Sequence, residues 1–458
     1  MNDARRFDAI IVGAGQAGPS LAGRLTQAGR SVALVERKLF GGTCVNTGCM
    51  PTKTLVASAR AAHVARRAAD FGVLLEGEVR IDMAKVKSRA DIVIANARRG
   101  VRDWLDGMEG CTVIEGHARF EDGNTLRVGD ERMSAPQVFL NVGGRAAVPE
   151  MPGLDAIDWL TNTSILELDR VPEHLLIVGG SYIGLEYAQM HRRFGADVTV
   201  VEKGPRLIGR EDEDVSAAVR GILEAEGIDI RTGVGDIAFA RDGDSIVATL
   251  DDEVVACSHV LLAVGRVPNT ADLGLDKAGV EVDERGYITV DDELRTSAPG
   301  IWALGDCNGR GAFTHTAYND FEIVAANLLD GEHRKLSERI SGYALYIDPP
   351  LGRVGIGEAG ARKRGHPYLV GKRSMERVGR AVEKDETQGF MKIVIDAGSK
   401  AILGAAILGT DGDEAIHGII DMMSMGATAT QLQRTVPIHP TVSELIPTLV
   451  SEAKAPAG

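Results

Sequence analysis

One pattern that occurs twice constrains the fold of this 458-residue chain more than any other feature. In each copy a short apolar run precedes a glycine-rich turn, a helix-compatible segment follows, and a second apolar run ends in a glutamate. Each glutamate follows the first glycine of its turn by 23 positions. The residues concerned are Gly13, Gly15, Gly18 and Glu36 in the first copy, and Gly179, Ser181, Gly184 and Glu202 in the second. This is the dinucleotide-binding βαβ fingerprint in its proper context, and its repetition predicts two dinucleotides, naturally FAD and a nicotinamide nucleotide.

Each position of the fingerprint has a separate physical task. The first glycine, Gly13 or Gly179, makes the tight turn after the strand. The second position lets the pyrophosphate approach the backbone, and the third packs the helix against the strand. The N-terminus of the helix receives the phosphate charge, and the glutamate can accept hydrogen bonds from a ribose. Ser181 replaces the middle glycine of the second copy, but its side chain is small enough to leave that approach open.

Glu202 also bears on the choice of nicotinamide nucleotide. A glutamate at this strand end accepts hydrogen bonds from an unmodified ribose and repels a 2′-phosphate, which favours NADH over NADPH. Lys203 and Arg206 stand close enough in the sequence to weaken that preference.

A segment with two cysteines, residues 41–53, carries the second strong signal. Cys44 and Cys49 stand five positions apart, with glycines before each of them and Pro51 after them. Pro51 and the apolar-periodic run at 55–69 predict a helix, because proline suits the first helical turn. A thiol at a helix N-terminus faces unpaired N–H groups and the positive end of the helix dipole, so its thiolate is favoured. The alternative, two buried cysteines that are close by chance, is disfavoured by the surrounding glycines, proline and lysine.

The pattern Gly-Gly-Thr-Cys-x4-Cys-x-Pro-x-Lys resembles the redox-active disulfide of the class I flavoprotein disulfide reductases. That family includes dihydrolipoamide dehydrogenase, glutathione reductase and mercuric reductase, and the resemblance extends over essentially the whole chain. It implies an α/β fold with two Rossmann-like dinucleotide-binding domains and a C-terminal α+β dimerisation domain. The FAD domain would be split into residues 1–149 and 270–340, which flank an NAD(P) domain at 150–269. Residues 341–458 would form the dimerisation domain.

The resemblance also assigns residues outside the two turns to the cofactors. Apolar strands that end at Gly143 and Gly265 pass close to the cofactors in the family. Gly116 and Ala118 resemble the segment whose backbone meets the FAD adenine, and Asp306 resembles the acid that holds the ribityl chain. The other residues that the resemblance places at the cofactors are Gly42, Thr43, Lys53, Tyr182, which would move aside for the nicotinamide, and Ala317, near the start of a helix under the flavin.

For catalysis, the resemblance implies that NAD(P)H reduces FAD and that FAD reduces a Cys44–Cys49 disulfide. Cys49 would be the cysteine nearer the flavin, and Cys44 the one that attacks the acceptor. Lys53 and Glu186 would form an ion pair near the flavin and help to set its potential.

His439 and Glu444 stand at the spacing of the family's acid–base pair. In the family this histidine reaches the disulfide of the partner subunit, and the glutamate fixes its tautomer and orientation. The resemblance therefore implies a homodimer whose active sites are shared between subunits. The alternative is a loop histidine that caps a helix.

Beyond about residue 341 the hydrophobic pattern changes. Strands are predicted at 343–347, 390–396 and 402–409, with a hairpin turn joining the last two. Helices are predicted at 414–425 and from residue 442 onward. This order resembles the family's interface domain.

Composition excludes several classes of partner. The net charge of −14 argues against nucleic acid and anionic membranes. No apolar run approaches the roughly 20 residues that span a bilayer, and the charged N-terminus predicts no signal peptide. Five cysteines without a C-x-x-C pair fit neither a disulfide-rich secreted domain nor a zinc module, so no metal site is predicted. These features predict a cytoplasmic protein.

The sequence leaves three hypotheses for the acceptor. The first is a small disulfide, or a dithiol such as dihydrolipoamide oxidised in the reverse direction. The second is a metal ion or a quinone. The residues around the two cysteines resemble those of a mercuric-reductase-like branch of the family, which includes copper-reducing members. Unlike mercuric reductases, however, this sequence has no additional cysteine pair near its C-terminus. The third, a component docked in a larger multienzyme complex, is disfavoured because no lipoyl-like or linker segment is visible.

Overall fold

In the computed structural model, which describes residues 4–456, the two predicted βαβ units each build a five-stranded parallel sheet. Their central strands are apolar and buried on both faces, as parallel strands between layers of helices require. Across the first sheet the strands are Ile301–Ala303, Gln137–Leu140, Ala9–Val12, Val32–Glu36 and Cys111–Glu115. Across the second they are Trp159–Leu160, His259–Leu262, His174–Val178, Asp197–Glu202 and Asp229–Thr232. The edge strand 301–303 returns to the first sheet after the second sheet is complete.

Helices cover both parallel sheets. The α-helices before residue 341 are Ala17–Gln27, Gly42–Asn46, Cys49–Arg66, Met83–Asp106, Tyr182–Phe194, Glu213–Ala225 and Thr314–Ala325, followed by a π-turn at Ala326–Asp330. Single 3₁₀ turns occur at Ala68–Phe71, Leu154–Ala156, Ser164–Glu167, Leu275–Ala278, Gly305–Asn308 and Leu336–Glu338. No helix in residues 4–456 is long and apolar enough to cross a membrane.

Three small sheets accompany the parallel ones, and the sequence patterns did not predict them. They contain Arg5–Arg6, Glu131–Ser134, Thr125–Val128 and Ala118–Phe120; then Ile237–Asp242, Ser245–Leu250 and Glu253–Cys257; and finally Arg266–Pro268 with Gly144–Ala146. The last pair is antiparallel and joins the chain segments that follow Gly143 and Gly265.

The C-terminal region forms an antiparallel sheet with its own apolar core. Its strands, in spatial order, are Gly342–Leu345, Leu351–Gly355, Ile402–Leu408, Phe390–Asp396 and Tyr368–Ser374. Its α-helices are Glu358–Arg364, Gly379–Glu383, Gly412–Ala415, His417–Ser424, Ala429–Leu432 and Ile446–Ser451, with 3₁₀ turns at Met375–Arg377 and Ser443–Leu445. The predicted helix at 414–425 is two helices, because Ile416 has a ψ of −25° that tightens the turn between them. The predicted α/β fold class is confirmed.

One packing contact positions the cysteine segment. The helix Cys49–Arg66 lies against the helix Tyr182–Phe194 of the second βαβ unit, and both contribute to one apolar cluster. Leu55 and Ala59 of the first helix are buried with Leu185 of the second. The helix that begins at the second glycine turn therefore also supports the cysteines.

Candidate active site

The two cysteines lie on two consecutive helices joined by a tight turn. Cys44 belongs to the helix Gly42–Asn46, and Cys49 is the first residue of the next helix, two positions earlier than Pro51 suggested. A side chain at Gly48 would place its Cβ 2.9 Å from the Thr43 carbonyl oxygen, so this turn needs glycine. Both cysteines are thiols in the structure.

The two thiols have pKa values that are shifted in opposite directions. The bond from the Cys44 thiol is the main cause that lowers the pKa of Cys49 to about 6, although burial opposes it. Thr314, whose Oγ1 lies 3.3 Å from the Cys49 sulfur, and Lys53 add to the effect. The same bond, together with burial, raises the pKa of Cys44 well above its ordinary value. In the reduced pair Cys49 is therefore the thiolate and Cys44 holds the proton.

Lys53 and Glu186 lie together one turn beyond the cysteines. The Lys53 Nζ is 2.5 Å from the Glu186 Oε2 and 4.6 Å from the centre of the Tyr346 ring. Only 4% of Glu186 is exposed, and its second oxygen accepts a 2.9 Å bond from the Tyr346 amide. A buried carboxylate needs both partners, since an unpaired charge would be costly there.

The two glycine turns are built alike, down to their hydrogen bonds. The Glu36 carboxylate accepts 2.8 Å bonds from the amides of Ala14 and Lys38. The Glu202 carboxylate accepts 2.7 Å bonds from the equivalent amides of Gly180 and Gly204. Each glutamate is thereby fixed at the mouth of its own turn.

Close backbone approach explains the outer glycines of both turns. A Cβ on Gly13 would lie 2.2 Å from the Asn141 oxygen, and one on Gly18 would lie 2.2 Å from the Gly13 oxygen. In the second turn a Cβ on Gly179 would lie 2.4 Å from the Ala263 oxygen, and one on Gly184 would lie 2.0 Å from the Gly179 oxygen. Ser181 is exposed at the N-terminus of the helix Tyr182–Phe194.

The residues around the first turn fit a bound dinucleotide. Gly42 touches Gly15, where an added Cβ would lie 2.9 Å from the Gly15 Cα. Gly143 and Gly265 both have positive φ, and a Cβ on either would meet no atom within 4 Å. The chain thus supplies bare backbone facing open space beside both turns, as a pyrophosphate and its sugars require.

Asp306 lies near this surface with a partner that the sequence analysis missed. The Arg266 Nη2 is 3.3 Å from the Asp306 carboxylate, 2.6 Å from the Gly144 oxygen and 3.5 Å from the Thr43 hydroxyl. Burial raises the pKa of Asp306, while Arg266 opposes that shift. The only sequence feature that could have indicated this contact is the position of Arg266 directly after Gly265. Its partners are far away in the sequence, so no local pattern connects them.

The remaining expected cofactor residues surround the first sheet. Gly116 has a φ of +154°, and its amide donates to the Glu36 carbonyl oxygen at 2.9 Å. Ala118 is buried at the start of the strand Ala118–Phe120. Ala317 is buried in the helix Thr314–Ala325, where a Cβ on Gly305 would lie 3.3 Å from it.

Tyr182 belongs to an aromatic cluster. Its ring centre is 5.5 Å from that of Phe313, which stacks against Tyr343 at 5.7 Å and His315 at 5.4 Å. Burial raises the pKa of Tyr182. The Tyr343 hydroxyl is hydrogen-bonded to the buried Glu211.

His439 and Glu444 form a pair at the surface. The His439 Nδ1 is 2.8 Å from the Glu444 Oε2, which orients the ring and leaves Nε2 pointing away. Of the His439 side chain 81% is exposed, against 15% of Glu444. An oriented but exposed imidazole is suited to act on a group that another molecule supplies.

Comparison with known proteins identifies the family of the chain. The profile of the family described as pyridine nucleotide-disulphide oxidoreductase matches residues 7–320, and the profile of its dimerisation domain matches residues 342–450. The chain is 35% identical to a mercuric reductase from Streptomyces lividans over 96% of this chain and 94% of the relative. It is 34% identical to a dihydrolipoyl dehydrogenase from Haloferax volcanii over 95% of this chain and 94% of the relative.

A solved structure resembles the whole fold. The Cu(II) complex of the HOCl-induced flavoprotein disulfide reductase RclA from Escherichia coli superposes with a TM-score of 0.89 at 33% identity. The match covers 98% of this chain and 99% of that one. The matched dimerisation domain supports a homodimer. The chain belongs to the pyridine nucleotide-disulphide oxidoreductase family and is an oxidoreductase that uses FAD and NAD(P)H.

Proposed function

We propose that the protein passes electrons from NAD(P)H, through FAD and the Cys44–Cys49 pair, to a small disulfide, or oxidises a small dithiol in reverse. The observation that carries the proposal is the joint placement of the Cys44 and Cys49 thiols around the start of one helix, beside Thr314 and the Lys53–Glu186 pair. A dithiol with one thiolate and one protonated sulfur is ready for thiol–disulfide exchange.

The two cofactors have separate sets of residues. FAD would be held by the first turn, Glu36, the Gly42–Thr43 segment, Gly143 and Asp306, and the nicotinamide nucleotide by the second turn, Tyr182, Glu202 and Gly265. Bound FAD would supply two-electron chemistry between the nicotinamide and the cysteine pair. The ion pair of Lys53 and Glu186 would lie next to the site of this electron transfer, with both charges fixed in place.

The exchange with an acceptor disulfide requires a base. The raised pKa of Cys44 means that its thiol must lose a proton before it can attack. We assign this proton to His439 of the partner subunit, whose exposed imidazole is held by Glu444 in the same subunit. The Cys44 thiolate then bonds to one acceptor sulfur, and the other sulfur leaves as a thiolate that takes the proton. The Cys49 thiolate next attacks the Cys44 sulfur, which releases the second product and restores the disulfide.

NADH is the preferred nicotinamide nucleotide in this proposal. Both Glu202 oxygens are held by backbone amides, so the charge is fixed at the end of its strand. A 2′-phosphate brought to that position would face an immobile carboxylate. The Arg206 Nη1 lies 3.1 Å from the Glu213 Oε1. This ion pair leaves Arg206 less free to bind the 2′-phosphate and so to offset its repulsion by Glu202.

A metal ion such as Cu(II) or Hg(II) is the second candidate acceptor. It is favoured by the names of two relatives, a mercuric reductase and a reductase whose structure was solved as a Cu(II) complex. Cys49 reaches solvent, although neighbouring groups partly desolvate its sulfur, and its thiolate is a soft ligand that suits such ions. Electrons could then reach the metal without the histidine.

Steady-state NADH oxidation by the holoenzyme separates the candidates. The acceptors would be lipoamide, glutathione disulfide, Hg(II), Cu(II) and a quinone, each tested with the native protein, Cys44→Ser and His439→Asn. We expect one disulfide to turn over, Cys44→Ser to abolish that turnover, and His439→Asn to lower it about 10²- to 10⁴-fold. Turnover of metals alone, undiminished in both variants, would refute the proposal and support direct reduction.

A further inference from the structure

The turn between the two cysteines is held from outside by Asn162, which follows the edge strand Trp159–Leu160 of the second parallel sheet. The side-chain amide of Asn162 donates a 2.8 Å hydrogen bond to the carbonyl oxygen of Thr47. Thr47 ends the helix Gly42–Asn46, and its peptide bond leads into Gly48, directly before Cys49. The bond therefore fixes the peptide unit that sets the direction of the Cys49 helix.

The turn that contains Asn162 has hydrogen bonds of its own. It lies in a turn in which the Thr161 amide donates to the Ser164 hydroxyl at 3.0 Å, and the Thr163 amide to the Thr161 hydroxyl at 3.2 Å. Short side-chain-to-backbone bonds of this kind fix a loop without a helix or strand. Little further entropy is then lost when Asn162 reaches Thr47.

A buried tyrosine supports Asn162 from behind. The Tyr187 hydroxyl lies 3.4 Å from the Asn162 carbonyl oxygen and 3.4 Å from the Thr52 hydroxyl. Tyr187 is 1% exposed and follows Glu186, the partner of Lys53. These longer contacts are weaker than the bond to Thr47. They nonetheless connect Asn162 to the redox helix on the other side of Cys49.

Three contacts from the part of the chain that forms the second parallel sheet therefore lie around Cys49: Asn162 to Thr47, Tyr187 to Thr52, and Glu186 to Lys53. We propose that Asn162 is a positioning residue for the Cys44–Cys49 pair, supported by Tyr187, and that it holds the two sulfurs at the separation that favours the disulfide. The inference rests on the proposed function, since it assigns a redox role to these sulfurs. It adds that the nicotinamide-binding side of the chain helps to set their equilibrium.

The physical argument concerns effective concentration. In exchange with glutathione disulfide, the cysteine pair gives up two electrons and the Cys44 proton, the Cys44–Cys49 bond forms, and the disulfide is reduced to two glutathione thiols, the second proton coming from solvent. That bond forms more readily the more closely the sulfurs are held in place. The equilibrium shifts by the amount by which the Asn162 bond is stronger in the disulfide state than in the dithiol state, and the worth of one hydrogen bond sets the expected change in the equilibrium constant at roughly two- to tenfold.

The test measures the disulfide directly rather than turnover. Native holoenzyme, Asn162→Ala and Asn327→Ala are equilibrated in glutathione redox buffers, quenched with an alkylating reagent, and analysed by mass spectrometry of the Cys44–Cys49 peptide. Asn327 is the matched control, because its amide donates a similar 2.9 Å bond to the Arg334 carbonyl oxygen. We expect Asn162→Ala to weaken the disulfide about two- to tenfold, tenfold being about 30 mV, with Asn327→Ala like the native protein.

A second variant guards against a general loss of packing. Tyr187→Phe removes only a hydroxyl, and we expect a smaller change in the same direction. A ratio within twofold of the native value in Asn162→Ala would overturn the inference, as would an equal change in Asn327→Ala. Failure of the proposed function would look different, since Cys44→Ser would then retain turnover whatever the disulfide equilibrium shows.

Discussion

Replacement of Cys44 by alanine tests the electrostatic account of the reduced cysteine pair. The hydrogen bond from the Cys44 thiol is the largest effect that lowers the pKa of Cys49 to about 6. Burial opposes the thiolate, so without that bond the pKa should rise towards the ordinary thiol value of about 8.5. The native Cys49 is therefore charged above about pH 6 and is protonated as the pH falls through that value.

The magnitude depends on two opposing effects. At pH 7 the thiolate fraction of Cys49 should fall from about 0.9 in the native protein to about 0.03 in the variant. A thiolate of higher pKa is also a better nucleophile, and a Brønsted slope of about 0.45 makes it about 13-fold more reactive here. The net rate of alkylation at pH 7 should then fall only about two- to threefold. The pH of half-maximal alkylation is the more decisive quantity.

The assay follows alkylation of Cys49 by iodoacetamide as a function of pH. Reduced protein, freed of reductant without oxygen, is reacted between pH 4.5 and 10, and labelling of each cysteine is resolved by mass spectrometry. We expect a midpoint near pH 6 for the native protein and above pH 8 for Cys44→Ala. Cys111→Ala should leave the midpoint unchanged, because burial raises the pKa of that thiol to about 11, independently of the pair. A native midpoint near 8.5, or one that does not move in Cys44→Ala, would refute the reasoning.

Three further substitutions test other parts of the site. Gly18→Ala forces a Cβ to within 2.2 Å of a backbone oxygen, so we expect the purified protein to lose most of its FAD absorbance, whereas Gly123→Ala, which meets no atom within 4 Å, should keep it. Lys53→Met leaves the buried Glu186 without its cation, and we expect a loss of about 1–3 kcal/mol in a urea titration, partly restored by adding Glu186→Gln. Glu202→Ala should raise the ratio of kcat/KM for NADPH to that for NADH at least several-fold, and an unchanged ratio would contradict the assigned preference.

Local patterns predicted much of the fold and of the site. The strands of the two βαβ units, and the strands at 390–396 and 402–408, follow apolar runs that are bounded by turn residues. The strands at 351–355 and 368–374 were missed, because the first holds two glycines and the second holds a glycine and two charged residues. Pairing with neighbouring strands of the sheet stabilises both of these strands, and a prediction from local propensity does not include such pairing.

The missed functional contacts are long-range. Thr314 meets Cys49 and Arg266 meets Asp306 only after the whole chain has folded, and neither residue has a distinctive local pattern. Asn162 lies in an irregular turn whose target is a main-chain carbonyl, which carries no side-chain signature. The assigned roles of the site residues, and the domain bounds 1–149, 150–269, 270–340 and 341–458, stay predictions.

The bonding of Glu202 has a consequence for cofactor engineering. A usual way to convert an NADH enzyme to NADPH is to exchange the acid at the strand end for a small or basic residue. Here that exchange would leave the amides of Gly180 and Gly204 without their acceptor, each at a cost of about 1–3 kcal/mol if buried. The nucleotide turn would lose its order together with the proposed preference for NADH. A redesign should therefore keep Glu202 and place new positive charge at Lys203 or Arg206, after releasing Arg206 from Glu213.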